Sequence, residues 1–207
     1  MNQETLDELK QRHPAGFAGL WATYPVKQRR RGLRIPLILS AVLLIFYLLA
    51  GNDPLALILN FTQLTFSVVP SLLGFLLGGY TILIGFGNAD LLRATTRTSI
   101  KSPVSLFQTM SSVFAVCILA QIFCLMVAGL LYFTTQIKIV SGSFLSNFAP
   151  SFGVLNFCGL SVLLFALTYS MATLPTMLIN IFNFAQAYHY KLSRQRLDEE
   201  EGVDGNS

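Results

Sequence analysis

The sequence predicts an all-α polytopic membrane protein with four transmembrane helices. Both termini are expected in the cytoplasm (N-in/C-in), and an N-terminal interfacial amphipathic helix is expected ahead of the first span. Three observations carry this. The 207-residue chain is 53% hydrophobic and 12% charged, whereas a soluble domain carries about 25% charged residues. Its apolar residues gather into four runs, each near the ~20 residues that cross a hydrocarbon core. Its basic residues fall almost wholly on alternate sides of those runs, which sets orientation.

The bulk composition also excludes alternatives. Abundant apolar surface rules out disorder, and four spans leave no length for a separate enzyme domain. Cys117, Cys124 and Cys158 lie inside apolar runs with no CxxC pair and no nearby His, so neither a metal nor a disulfide framework is expected, and no cofactor is expected either. The first apolar run starts only near Ile35, behind a polar, acidic beginning, so a cleavable signal peptide is not expected.

The N-terminal segment, 1–34, is read as cytoplasmic and interfacial. Thr5-x-x-Glu8 has the form of a capping box, and His13-Pro14 reads as an N-cap followed by Pro at the first helical position. Phe17, Leu20, Trp21 and Tyr24 follow at i, i+3, i+4 and i+7, one helical face, and Pro25 ends the run. Lys27, Arg29, Arg30, Arg31 and Arg34 come next. Aromatic residues followed by a basic cluster fit a helix lying among anionic headgroups. The same cluster also serves as the topology signal of the first span, and the two readings weigh about equally.

The transmembrane domain is placed at 35–184, with spans over about 35–50, 64–86, 113–133 and 157–181, none of which contains Lys, Arg, Asp, Glu or His. Thirteen of the 14 basic residues then lie on one side, the exception being Lys138. In the second span Ser67, Ser71, Gly74, Gly78, Thr81 and Gly85 are spaced 4, 3, 4, 3, 4, one stripe along a helix containing a GxxxG. Small residues let helices approach in lipid. The stripe is expected to pack either within one subunit or, less commonly, against a second copy in a homo-oligomer. Leu76, on another face, is expected to matter less. Pro70 should kink this span. Gln121 is the one polar side chain deep in the third span, and counting along the helices puts it level with Thr173 of the fourth, in a polar stretch that includes Ser170. Interhelical hydrogen bonding is the favoured role. A polar path for a solute is the alternative, disfavoured because no ionisable residue accompanies it.

Between the second and third spans, Arg93, Arg97 and Lys101 form a basic stripe suited to lipid phosphates or to an acidic cytoplasmic protein. The tail, 185–207, ends in an acidic run and is expected to be a solvated, frayed terminus. No nucleotide-binding, zinc-protease or serine-hydrolase motif occurs.

Gly74-Phe75-Leu76-Leu77-Gly78-Gly79-Tyr80-Thr81-Ile82, running into Gly87-Asn88-Ala89-Asp90-Leu91-Leu92-Arg93, resembles a stretch of small four-span bacterial inner-membrane proteins. In size and layout the chain is also similar to the KwaA membrane subunits of the Kiwa anti-phage defence system. The pattern covers about 20 residues and hydropathy covers the rest. The resemblance implies an oligomeric inner-membrane sensor that works with a separate cytoplasmic, nucleic-acid-binding effector. It supplies no catalytic motif. The function expected is therefore a non-enzymatic scaffold or sensor subunit, presenting a basic surface to anionic lipid or an effector protein and binding no nucleic acid itself. A channel or transporter subunit lined by the fourth span is the alternative.

Overall fold

The computed structural model describes residues 15–51, 53–85, 104–136 and 149–204. All its elements are helices: α1 (Gly16–Thr23), α2 (Val26–Ala50), α3 (Pro54–Gly85), α4 (Leu106–Gln136) and α5 (Ala149–Asp204). Four of them, α2 to α5, are long and apolar enough to cross a membrane. The protein is thus an all-helical, multi-pass chain. Lipid leaves no other way for an open chain to satisfy its backbone.

Helix boundaries follow local chemistry. Tyr24, before Pro25, is extended (φ −73°, ψ 125°) and separates α1 from α2, because an α conformation there clashes with the proline ring. Ala50 is followed by Gly51 at φ 63°, the left-handed stop that glycine adopts without a Cβ penalty. Asp53 Oδ1 then accepts the Leu55 N–H at 3.0 Å, with Pro54 opening α3, an N-cap with proline at the first helical position. The turn between α2 and α3 is therefore very short, and α3 begins ten residues before the expected 64. Ser105 and Gln108 form a reciprocal capping box at the start of α4: the Gln108 N–H donates to Ser105 Oγ (3.1 Å) and the Ser105 N–H to Gln108 Oε1 (2.9 Å). The Thr5–Glu8 box and the His13-Pro14 cap lie outside the described residues, and α1 starts after Ala15, which makes no side-chain cap.

α4 is central and packs on α3, α5 and α1, while α5 also packs on α2 and α3. The buried face of α4 includes Val113, Cys117, Ala120, Gln121, Cys124 and Ala128. Close approach is tightest at Gly159 of α5, where an added Cβ would meet Leu131 Cδ2 at 2.9 Å. Small residues do allow the helices to close, but on α4 and α5.

Two parts of the expectation for α3 are corrected, packing of its small-residue stripe within the chain and the lesser role given to Leu76. Ser67, Ser71, Gly74, Gly78, Thr81 and Gly85 are all exposed. A Cβ added at Gly74, Gly78 or Gly85 would have no neighbour within 4 Å. Inside the chain α3 uses nearly the opposite face, Ile58, Thr62, Thr65, Val69 and Leu76, all fully or almost fully buried. Leu76, at 0% exposure, joins Met110, Phe114, Cys117 and Met177 in one core cluster. The helix is continuous through Pro70.

The tail departs from expectation too, since α5 runs unbroken for 56 residues to Asp204. A packed span has already nucleated the helix, and Ala, Gln, Lys, Leu, Arg and Glu extend it readily.

Leu76→Ala should cost about 2–5 kcal/mol. Gly78→Ala should leave the isolated subunit unchanged or slightly stabilised, because it fills open space with a better helix former. Equilibrium unfolding in detergent, followed by circular dichroism, ranks the two. The reverse order would mean that α3 packs by its glycine face.

Candidate functional site

The site is built where α1, α4 and α5 meet the first turns of α2. Cross-helix contacts fix its levels. Thr168 Oγ1 of α5 shares a long 3.4 Å contact with the Pro36 carbonyl of α2, while its shortest bond, 2.8 Å, goes to its own Leu164 carbonyl. Further along the same antiparallel pair, Tyr47 and Phe157 have ring centroids 6.2 Å apart. Between α4 and α5, Gln121 Nε2 donates to the Ser170 carbonyl at 3.3 Å. Arg34, one half-turn before Pro36, therefore stands level with Ser170 and so with Gln121.

The polar residues at this level form a chain. The Cys117 thiol donates to Thr173 Oγ1 (3.1 Å), which donates to the Ser170 carbonyl (2.7 Å), which also accepts from Gln121. Gln121 and Ser170 are fully buried and Thr173 nearly so. The Gln121 Oε1 and Ser170 Oγ atoms have no partner among the described residues. Counting along the helices levels Gln121 with Thr173, whereas in the structure Gln121 meets the Ser170 carbonyl and Thr173 meets Cys117 one turn away. The count misses Cys117, which reads as an apolar filler until its neighbour is known. The arrangement joins α4 to α5 by hydrogen bonds.

Beside this chain of hydrogen bonds, on the α1 side of α4, lies the aromatic and basic group. The four aromatic-stripe residues do not act alike. Leu20 and Tyr24 pack against Val113 and Val116 of α4, whereas Phe17 is 78% and Trp21 55% exposed. Burial, with Tyr169 and Cys117 nearby, pushes the Tyr24 phenol up to about 12, so it stays neutral where it packs. The Arg29 guanidinium stacks 3.5 Å from the centroid of the Trp21 ring, a cation–π contact.

The basic cluster is itself helical. α2 begins at Val26, so Lys27, Arg29, Arg30, Arg31 and Arg34 are the first turns of the spanning helix. α2 runs unbroken through 34/35, where the N-terminal segment is expected to meet the transmembrane domain. Positions 27, 30, 31 and 34 follow one helical face, and Arg29 leaves it to reach Trp21. Arg30 and Arg34 are exposed. Asp53 is the only described carboxylate outside the end of α5, and it caps α3 at the far end of the bundle. Arg93, Arg97 and Lys101 lie outside the described residues.

Phe17, Ala18, Leu20 and Trp21 of α1 wall a groove of about 760 Å³ whose other side is Val116, Leu119, Ala120 and Phe123 of α4 with Tyr169 of α5. Among the described residues no three His, Cys, Asp or Glu side chains gather in a way that could hold a metal ion. No family model, curated protein or solved structure matches the chain.

Thr173→Val should cost about 1 kcal/mol, since it cuts the chain at its middle member. Gln121→Leu should stay within about 1 kcal/mol of wild type, because it removes one long hydrogen bond together with a buried carbonyl that lacks a partner. Unfolding in detergent measures both. A larger loss for Gln121→Leu would mean that its free oxygen is engaged in the folded protein.

Proposed function

We propose that the chain is a non-enzymatic scaffold or sensor subunit of a bacterial inner membrane. It self-associates through the open face of α3 and presents a basic cytoplasmic surface and the free end of α5 to an effector protein. The observation that carries this reading is the division of labour on α3. One face is engaged inside the chain, while the opposite face is a run of small residues that is exposed among the described residues, with open space at Gly74, Gly78 and Gly85.

The open face is ready for contact in lipid. Ser67 donates to the Leu64 carbonyl at 2.9 Å and Thr81 to the Leu77 carbonyl at 2.8 Å, so neither hydroxyl needs water. Close approach of a second helix is then limited only by backbone.

Orientation rests on charge. With Arg34 level with Ser170, and its long side chain able to reach outward, the inner edge of the hydrocarbon falls near Arg31, Leu76, Cys117 and Thr173. From there to the far ends of α2, α3, α4 and α5 each helix has roughly 20 residues, about 30 Å, the thickness of a hydrocarbon core. This places the small-residue stripe across the inner boundary, with Gly78 to Gly85 at headgroup depth. It also places the last part of α5 outside the membrane. Past Phe184 the residues whose burial is described are exposed, Tyr188, Tyr190 and Leu192 among them, and about 20 residues reach ~30 Å into the aqueous phase. A partner can meet such an arm without entering the bilayer.

Two experiments test the reading. In a Cys158→Ser background, Gly78→Cys should cross-link copies of the chain in native membranes and Leu76→Cys should not. Equal cross-linking would remove α3 as the contact face. Co-purification from native membranes should yield a stoichiometric cytoplasmic partner that is lost when Arg93, Arg97 and Lys101 are replaced by Ala together at unchanged membrane level. Absence of any such partner with the wild-type chain would remove the scaffold reading.

A further inference from the structure

We propose that the groove between α1 and α4 is a site for a single anionic phospholipid, its acyl chain along α4 and its phosphate on Arg29. The inference rests on the placement of the basic turns of α2 at the inner membrane edge, and it names the ligand that this placement selects.

The groove has the shape of a chain. Val116, Leu119, Ala120 and Phe123 succeed one another at i, i+3, i+4 and i+7, one straight stripe about 10 Å long that runs from the level of Cys117 toward the bilayer centre. Its volume, about 760 Å³, lies within the roughly 300–1,000 Å³ usual for ligand pockets. The opposite wall, Phe17 and Trp21, keeps large apolar surface exposed toward lipid. Among the described residues, charge meets the groove at Trp21. There Arg29 is held over the Trp21 ring and Arg30 is exposed one residue on, with no described carboxylate nearby to neutralise either. A fixed guanidinium above an apolar channel matches a phosphodiester above an acyl chain, since the planar donor fork meets phosphate oxygens bidentately. A soluble anion would use the charge and leave the groove open to water. A neutral detergent-like chain would use the groove and leave the charge unpaired.

Trp21 is the only tryptophan, so its fluorescence reports this groove alone. The full chain is reconstituted in phosphatidylcholine nanodiscs, and bromine-labelled phosphatidylglycerol or bromine-labelled phosphatidylcholine is added at equal mole fractions. Wild type should be quenched at about five-fold lower mole fraction by the glycerol lipid, the preference expected from one fixed basic group. Arg29→Gln should bring the two lipids to equal quenching. Ala18→Phe, which fills the groove while keeping Arg29, should make quenching by the glycerol lipid rise linearly with mole fraction, without saturation. Equal quenching of wild type by both lipids would overturn the site. A preference that survives Arg29→Gln would overturn the phosphate contact. Neither result bears on self-association through α3 or on a cytoplasmic partner, which the cross-linking and co-purification experiments decide separately.

Discussion

The close fit of α4 between α3 and α5 is the constraint on which the rest depends. Lipid tails are as apolar as leucine, so burying large side chains gives little reason for helices to associate. What remains is dispersion, and dispersion needs near contact. Cys117, Ala120, Cys124 and Ala128 keep one flank of α4 slim, and Gly159 lets α5 come within van der Waals reach of Leu131. Once those backbones are close, the longer residues of α3, from Ile58 to Leu76, have a surface to fill.

That packing sets the depth of everything polar. The hydrogen-bond chain from Cys117 through Thr173 and Ser170 to Gln121 pins α4 against α5 in one register. The long contact of Thr168 with the Pro36 carbonyl ties α2 to the same register. Arg34 is thereby brought to the level of the buried amide. The expected geometry treats Gln121 as deep within the membrane because it counts from Val113. The structure puts Arg34 at that same height. Hydropathy alone cannot find this, because α4 and α5 stay apolar for two to three turns beyond the level at which α2 becomes basic.

Much of the fold was legible because the bilayer admits so few solutions. Four long apolar runs could only be helices, and Pro25 announced the break after α1. The boundaries were less legible, although the signals were present. Gly51-Asn52-Asp53-Pro54 holds a helix stop and a helix start within four residues, and Ser105-x-x-Gln108 is a capping box as good as the one read at Thr5. The stripe on α3 was visible as a pattern but its role was not. A small-residue face marks where a helix can be approached, and only the neighbours decide whether that happens within the chain. Leu76 went the other way, since nothing in its sequence context distinguishes a lipid-facing leucine from a buried one. The split of the aromatic stripe into a packed pair and an exposed pair follows from α4 lying along one side of α1, a tertiary fact with no local signature.

The elbow between α1 and α2 then acquires a mechanical meaning. α1 rests on α4 through Leu20 and Tyr24. α2 rests chiefly on α5, through Leu43, Leu44 and Tyr47 beside Leu160 and Leu164. The two helices are joined at Pro25, whose ring fixes one of the two dihedrals available there, and Arg29 over Trp21 braces the corner from outside. One short segment therefore straddles the seam between α4 and α5 at the height where that seam is hydrogen-bonded. A displacement of α1 loads Val113 and Val116 directly. Through the elbow it also loads the contact of α2 with α5. α5 continues as one helix beyond the bundle and carries Pro175 within it, a position where a missing backbone donor lets a helix bend.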